Sequence, residues 1–125
     1  MANRELTKTY TAEAAIEPYR IVKFGAADYG VIQGAAATDK LIGVTVPIIS
    51  IASGESCDVI LMGIAEVKLG GTVTRGDLIT SDATGQGLTA APAAGVNNRH
   101  IGIAQVSGVS GDIIPVLVNP SSVQG

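Results

Sequence analysis

The chain has 125 residues, of which 46% are hydrophobic and only 15% charged, with a formal net charge of −3. That length holds one domain with a real core, and a mean hydropathy of +0.39 excludes a disordered chain. There is no basic run and there are almost no aromatic residues, with one Phe, three Tyr and no Trp. Direct nucleic-acid binding is therefore not expected, because it needs phosphate-neutralising charge or stacking rings. With charges so sparse, part of the surface should be covered by something other than water, such as an oligomer interface or a docking face.

The first segment, MANRELTKTY, carries Arg4, Glu5 and Lys8 and lacks the apolar region of a signal peptide, so use in a cytoplasm is expected. Residues 1–17 are rich in Thr and Ala and read as an arm outside the main core, dispensable for folding and needed for docking. Within it, TYTAEAAIE suits a short helical turn that Pro18 ends. From residue 18 to 125 the texture changes. YRIVKFG, YGVIQG, KLIGVTV, SCDVILMGIAEVKLG, GDLITSD, GLTA, HIGIAQVSG and GDIIPVLVNP are short runs rich in Val and Ile, separated by glycine and turn residues. They predict a mainly β domain, a small barrel with short turns and little helix.

Ile21 and Lys23 should oppose Val22 and Phe24 across a strand. Val59 to Ile64 is apolar on both faces, so that strand should be buried on both, inside a barrel wall and under a neighbour. AAATDK (35–40) reads as a turn or small helix, and TAAPAAGVNNR (89–99) as a connector broken by Pro92 and Gly95. HIGIAQVSGVSGDIIPVLV reads as a closing hairpin. The longest charge-free apolar stretch, Leu41 to Gly54, is shorter than the roughly 20 residues of a membrane helix and is interrupted by Gly43 and Pro47. No membrane partner is expected.

The stretch GGTVTRGDLITSDATGQG, Gly70 to Gly87, imitates three motifs. A phosphate loop needs Gly-Lys-Ser/Thr after its second glycine, but Asp77 follows Gly76 and would repel phosphate. The dinucleotide fingerprint needs a helix opening at Gly85 and Gly87, and Pro92 with the Ala-Gly connector leaves no room for one. Arg75-Gly76-Asp77 matches an adhesion tripeptide but reads as an ordinary turn. The prediction is a turn, a strand from Leu78 to Ser81, a turn built on Asp82 and Gly85, and another strand.

Asp77 and Asp82 lack the cadence of a calcium loop and read as turn caps. Cys57 is the only cysteine and His100 the only histidine, so an internal disulfide or a Cys/His zinc site within one chain is excluded. Cys57, beside Asp58, reads as a buried inert thiol rather than a nucleophile paired with His100. Ser53, Ser56 and Ser81 lack a nucleophile-elbow context, and Glu55 with Asp58 reads as a solvated turn. No catalytic, cofactor or metal residues are assigned.

Over the span from about Tyr19 to Gly125, YRIVKFGAADYGVIQGAAATDKLIGVT, GIAEVKLGGTVTRGDLITSDATGQ and APAAGVNNRHIGIAQVSGVSGDIIPVLVNPSSVQG together resemble the head-decoration, or capsid cement, proteins of tailed bacteriophages. The resemblance implies a homotrimer on the outside of the expanded capsid, at three-fold and quasi-three-fold positions. There it would bind the major capsid protein and stabilise the shell against internal DNA pressure. With no catalytic constellation among the residues, no cofactor and no enzyme activity are expected. By position in the arm, Leu6, Thr7, Lys8, Thr9, Tyr10 and Thr11 are the expected capsid-contact residues. Two alternatives stay open. One is a trimeric β-barrel enzyme in which His100 meets Cys57 or Asp58 of a neighbour. The other is a carbohydrate-binding surface module, weakened because only Tyr10, Tyr19, Phe24 and Tyr29 could serve as platforms.

Overall fold

In a computed structural model that describes residues 5–125, the chain forms nine strands. They are β1 (Leu6–Ala12), β2 (Ile21–Phe24), β3 (Gly30–Gln33), β4 (Leu41–Thr45), β5 (Ser56–Lys68), β6 (Leu78–Ser81), β7 (Gly87–Thr89), β8 (Asn97–Ala104) and β9 (Ile113–Gln124). No helix occurs among the described residues. The mainly β expectation holds, and so does the strand-turn-strand reading of Leu78 to Thr89. Residues 35–40 form a turn, with the Asp39 amide donating to the Ala36 carbonyl.

Five strands close a barrel in the order β1-β3-β2-β4-β5, with β5 returning to β1. The closure is antiparallel, from Thr11 opposite Ser56 to Leu6 opposite Met62. The seam between β1 and β3 is short and parallel, with Thr11 opposite Gly30 and Ala12 opposite Val31. Beyond Met62 the long β5 leaves the barrel and pairs with β9, from Gly63 opposite Val118 to Lys68 opposite Ile113. There it begins a second sheet, β5-β9-β8-β6-β7. The closing hairpin is β8 with β9, from Asn97 opposite Gln124 to Ala104 opposite Val116, with a shift of register between His100 and Gly102.

Two cores follow from period-two alternation. Tyr10, Ala12, Ile16, Val22, Val31, Ile42, Ile51, Cys57 and Val59 fill the barrel. The second core lies between the barrel's outer wall and the second sheet. The wall contributes Ile21, Leu41, Val44 and Ile60, and the sheet contributes Val67, Ile79, Ile101, Ile114 and Val116 among others. Successive residues of one strand therefore enter different cores: Ile21 and Val22 on β2, Leu41 and Ile42 on β4, Val59 and Ile60 on β5. The doubly buried wall expected of Val59 to Ile64 holds at Val59 and Ile60 and ends there, because beyond them β5 leaves the barrel and Met62 is exposed. Each fully buried Val, Leu or Ile contributes about 1.5–3 kcal/mol.

The segment expected to be an arm is part of the barrel over its described length. Its alternation runs Thr7, Thr9 and Thr11 outward and Tyr10 and Ala12 inward, while Lys8, of the same parity as Tyr10, is exposed. Ile16 is fully buried and exchanges two backbone hydrogen bonds with Ile51, of 2.9 and 2.8 Å. TYTAEAAIE begins as strand, not as a helical turn. Tyr10, Ala12 and Ile16 carry the burial of the segment, so their small number concealed a place in the barrel core.

Candidate functional site

The chemically suggestive side chains are occupied by structural tasks. The Asp77 carboxylate accepts from the Thr74 amide at 2.9 Å and from the Thr89 hydroxyl at 2.9 Å. It closes the Arg75-Gly76 turn instead of presenting it. One Asp82 oxygen accepts from the Thr84 and Gln86 amides at 2.8 Å each. Both are turn caps, as the sequence indicated. Glu55 accepts from the Ala52 amide at 2.7 Å, and Asp58 accepts from the Thr9 hydroxyl at 2.6 Å. Among the described residues no group of three or more His, Cys, Asp or Glu could hold a metal ion.

Cys57 is completely buried in the barrel beside the Thr45 hydroxyl, 3.3 Å from its sulfur. Burial pushes its thiol up from the ordinary value, against the Thr45 contact. His100 lies on β8 in the second sheet, opposite Ser121. Its Nδ1 is buried without a hydrogen-bond partner, and burial pushes its pKa down. The two are thus in different layers. A thiol enclosed inside the barrel offers no neighbouring subunit a route to it.

Of the six expected contact residues, Leu6, Thr7, Lys8, Thr9 and Thr11 are exposed, whereas Tyr10 is turned inward at 9% exposure. The structure divides them by face. Thr7, Thr9 and Thr11 look outward from the barrel wall, and Lys8 and Tyr10 line an open groove of about 620 Å³. The opposite wall of the groove is the β2–β3 hairpin, from Phe24 through Tyr29, and Lys40 stands at its edge.

That hairpin turn is held from below. The Glu13 carboxylate accepts from the Ala26 amide at 2.8 Å and the Ala27 amide at 2.9 Å. Those two bonds, to Ala27 and to Ala26, hold its carboxyl below the usual value. A side chain at Gly25 or Gly30 would collide with this carboxylate, so glycine at both leaves room for the staple. Tyr29 adopts a left-handed backbone with φ 61°, uncommon for a bulky side chain. Lys8 Nζ lies 4.7 Å from the Tyr29 ring centre and 5.8 Å from that of Tyr10, within cation–π range.

A second surface is apolar. On the outer face of the second sheet, Ile64 lies opposite Leu117, Leu117 opposite Ile103 and Ile103 opposite Leu78. Directly opposed residues share a face, so these four make one row across β5, β9, β8 and β6. Ile103 and Leu117 are exposed at 38% and 39%, and Ile113 on the same face of β9 at 45%. Met62 and its β1 partner Leu6 are exposed as well. Sequence reasoning took strands apolar on both faces as buried on both, so it missed this row. The groove had a signal in FGAADYG, where a short hairpin brings Phe24 and Tyr29 to one turn.

Fold and surfaces together define a β-barrel interaction module whose polar side chains maintain turns and whose apolar row is uncovered. A family model described as phage cement protein matches residues 1–118, and the chain belongs to that family. Membership carries a capsid-associated structural role in the virion. Among solved structures, the fold is similar to the head fiber gp8.5 N base of bacteriophage phi29, with 16% sequence identity and a TM-score of 0.67. That alignment covers 98% of this chain and 100% of the other. Among curated proteins no relative matches.

Proposed function

We propose that the protein is a homotrimeric cement on the outside of the expanded phage capsid. It sits at three-fold and quasi-three-fold positions, binds neighbouring copies of the major capsid protein, and resists internal DNA pressure. It acts by binding alone, with no enzymatic step and no cofactor. The observation that carries the reading is the uncovered row of Ile64, Leu117, Ile103 and Leu78 in a chain of the cement family. An apolar sheet face of this kind is suited to meet a second copy, and stable interfaces bury roughly 800 Å² or more on each partner.

The capsid contact is assigned to the outward face of β1, namely Thr7, Thr9 and Thr11, which is exposed and charge-free, together with the exposed Leu6 that begins the strand. Tyr10 drops out of that contact because it is inside the barrel. A net charge of −3 suits the outer surface of the shell better than its DNA-filled interior. Light scattering coupled to size exclusion tests the trimer. Co-sedimentation with expanded capsids lacking the protein tests the docking. A monomer at micromolar concentration contradicts the first part, and a folded trimer that stays in the supernatant contradicts the second.

A further inference from the structure

From the groove at the end of the barrel we infer a second binding activity: Phe24, Tyr29, Asp28 and Lys40 form a site for a saccharide containing a hexopyranose unit. The chain has four aromatic side chains in all, and three of them, Tyr10, Phe24 and Tyr29, line this one groove. Phe24 and Tyr29 are also the exposed ones, at 52% and 66%. A chain this poor in aromatic residues, with two of them in solvent at one place, leaves apolar ring faces uncovered there. The C–H face of a pyranose ring stacks on such rings while its hydroxyls remain free for polar partners.

Those partners are present. Asp28 and Lys40 both line the groove, both are exposed, and neither has an ion pair or side-chain hydrogen bond among the described residues. Lys23, by contrast, is paired with Asp39 at 3.1 Å. A carboxylate and an ammonium beside an aromatic wall supply the acceptor and donors that vicinal hydroxyls need.

The site is also held in shape before anything binds. Glu13 fixes the Ala26 and Ala27 amides, and so fixes the turn that carries Asp28 and Tyr29. Lys8 sits against the Tyr29 ring and limits its rotation. Rigid walls lower the ordering cost of binding, and the volume falls in the range of small-molecule clefts. The groove opens at the barrel end, on the opposite side of β1 from Thr7, Thr9 and Thr11. A capsid-seated protein therefore keeps it open, and the saccharide activity stands or falls independently of the capsid reading.

The test uses the purified full chain on an array of bacterial surface saccharides and mammalian glycans, followed by titration calorimetry with the strongest-binding glycan. At least one hexopyranose-containing glycan should bind. Tyr29→Ala and Phe24→Ala should each weaken it by tenfold or more, while Ile48→Ala, in the exposed β4–β5 loop, leaves it unchanged. Both rings are largely in solvent, so the variants should keep the wild-type circular dichroism and melting temperature. An array with no bound glycan overturns the inference, as does binding insensitive to both ring deletions. Overlapping peptides of the capsid protein are run alongside. Binding of a peptide that Tyr29→Ala abolishes, with no glycan bound, also overturns it and makes the groove a protein contact.

Discussion

Removing the N-terminal segment should unfold the protein rather than merely undock it. Ile16 is fully buried in the barrel core and bridges Ile51 through two backbone hydrogen bonds. Ile16→Ala deletes buried methyl groups and leaves a cavity, which costs about 2–5 kcal/mol. For a domain of this size that lowers the melting temperature by about 10 °C. Deleting residues 1–17 removes much more: the burial of Tyr10, Ala12 and Ile16, and the ladder between β1 and β5. Each buried large side chain is worth about 1.5–3 kcal/mol, and each ladder hydrogen bond about 1 kcal/mol net. The sum approaches the whole stability of a typical domain, about 5–15 kcal/mol. Thermal denaturation by circular dichroism should show a shifted cooperative transition for Ile16→Ala and no cooperative transition for the truncation. A truncated protein that melts cooperatively at the full-length temperature would refute the closed-barrel argument and restore the free-arm reading.

Leu117→Asp and Ile103→Asp each place a charge in the apolar row without touching either core, and should convert a trimer to monomers of unchanged secondary structure in light scattering. Cys57→Ser should leave capsid binding intact and cost about 1–2 kcal/mol, at the low end for a buried hydroxyl because Thr45 can partner it. Because burial raises the Cys57 pKa in the folded state, the unfolded chain loses its proton first. Stability should therefore fall as pH rises above the thiol's ordinary value of 9.0, and Cys57→Ser should flatten that fall in urea titrations. His100 runs the other way. Its folded pKa is lowered by burial, so the unfolded chain takes up the proton first, and stability should fall as pH drops below 6.5. His100→Gln should remove that part of the pH profile.

Turns and strands were legible because their signals are local. Asp82 and Gly85 mark a turn by their own chemistry, and Leu78 to Ser81 declares a strand by composition. The doubly buried wall was legible at Val59 and Ile60, where two apolar faces need two partners, but the same reasoning failed by Met62 and Ile64, whose outer face the chain itself does not bury. The N-terminal strand was not. Its buried positions are only Tyr10 and Ala12, which carry little hydropathy, and its place in the barrel depends on β5, about fifty residues away. The groove was half legible. Phe24 and Tyr29 announce a hairpin, but their meeting with Lys8, Tyr10 and Lys40 is a consequence of barrel closure. The apolar row was hidden by a many-to-one problem, since an alternating apolar strand reads the same whether its second face meets the same chain, another copy or solvent.

The central claim is that the protein reinforces a capsid. Its most direct test is the temperature at which DNA-filled capsids lacking the protein release their DNA, followed with an intercalating dye before and after adding the purified protein. The account predicts a saturable rise in that temperature, lost when charge is placed on the β1 face, as in Thr7→Glu with Thr9→Glu, in an otherwise folded trimer. A release temperature unchanged at saturating concentrations of folded protein would contradict it.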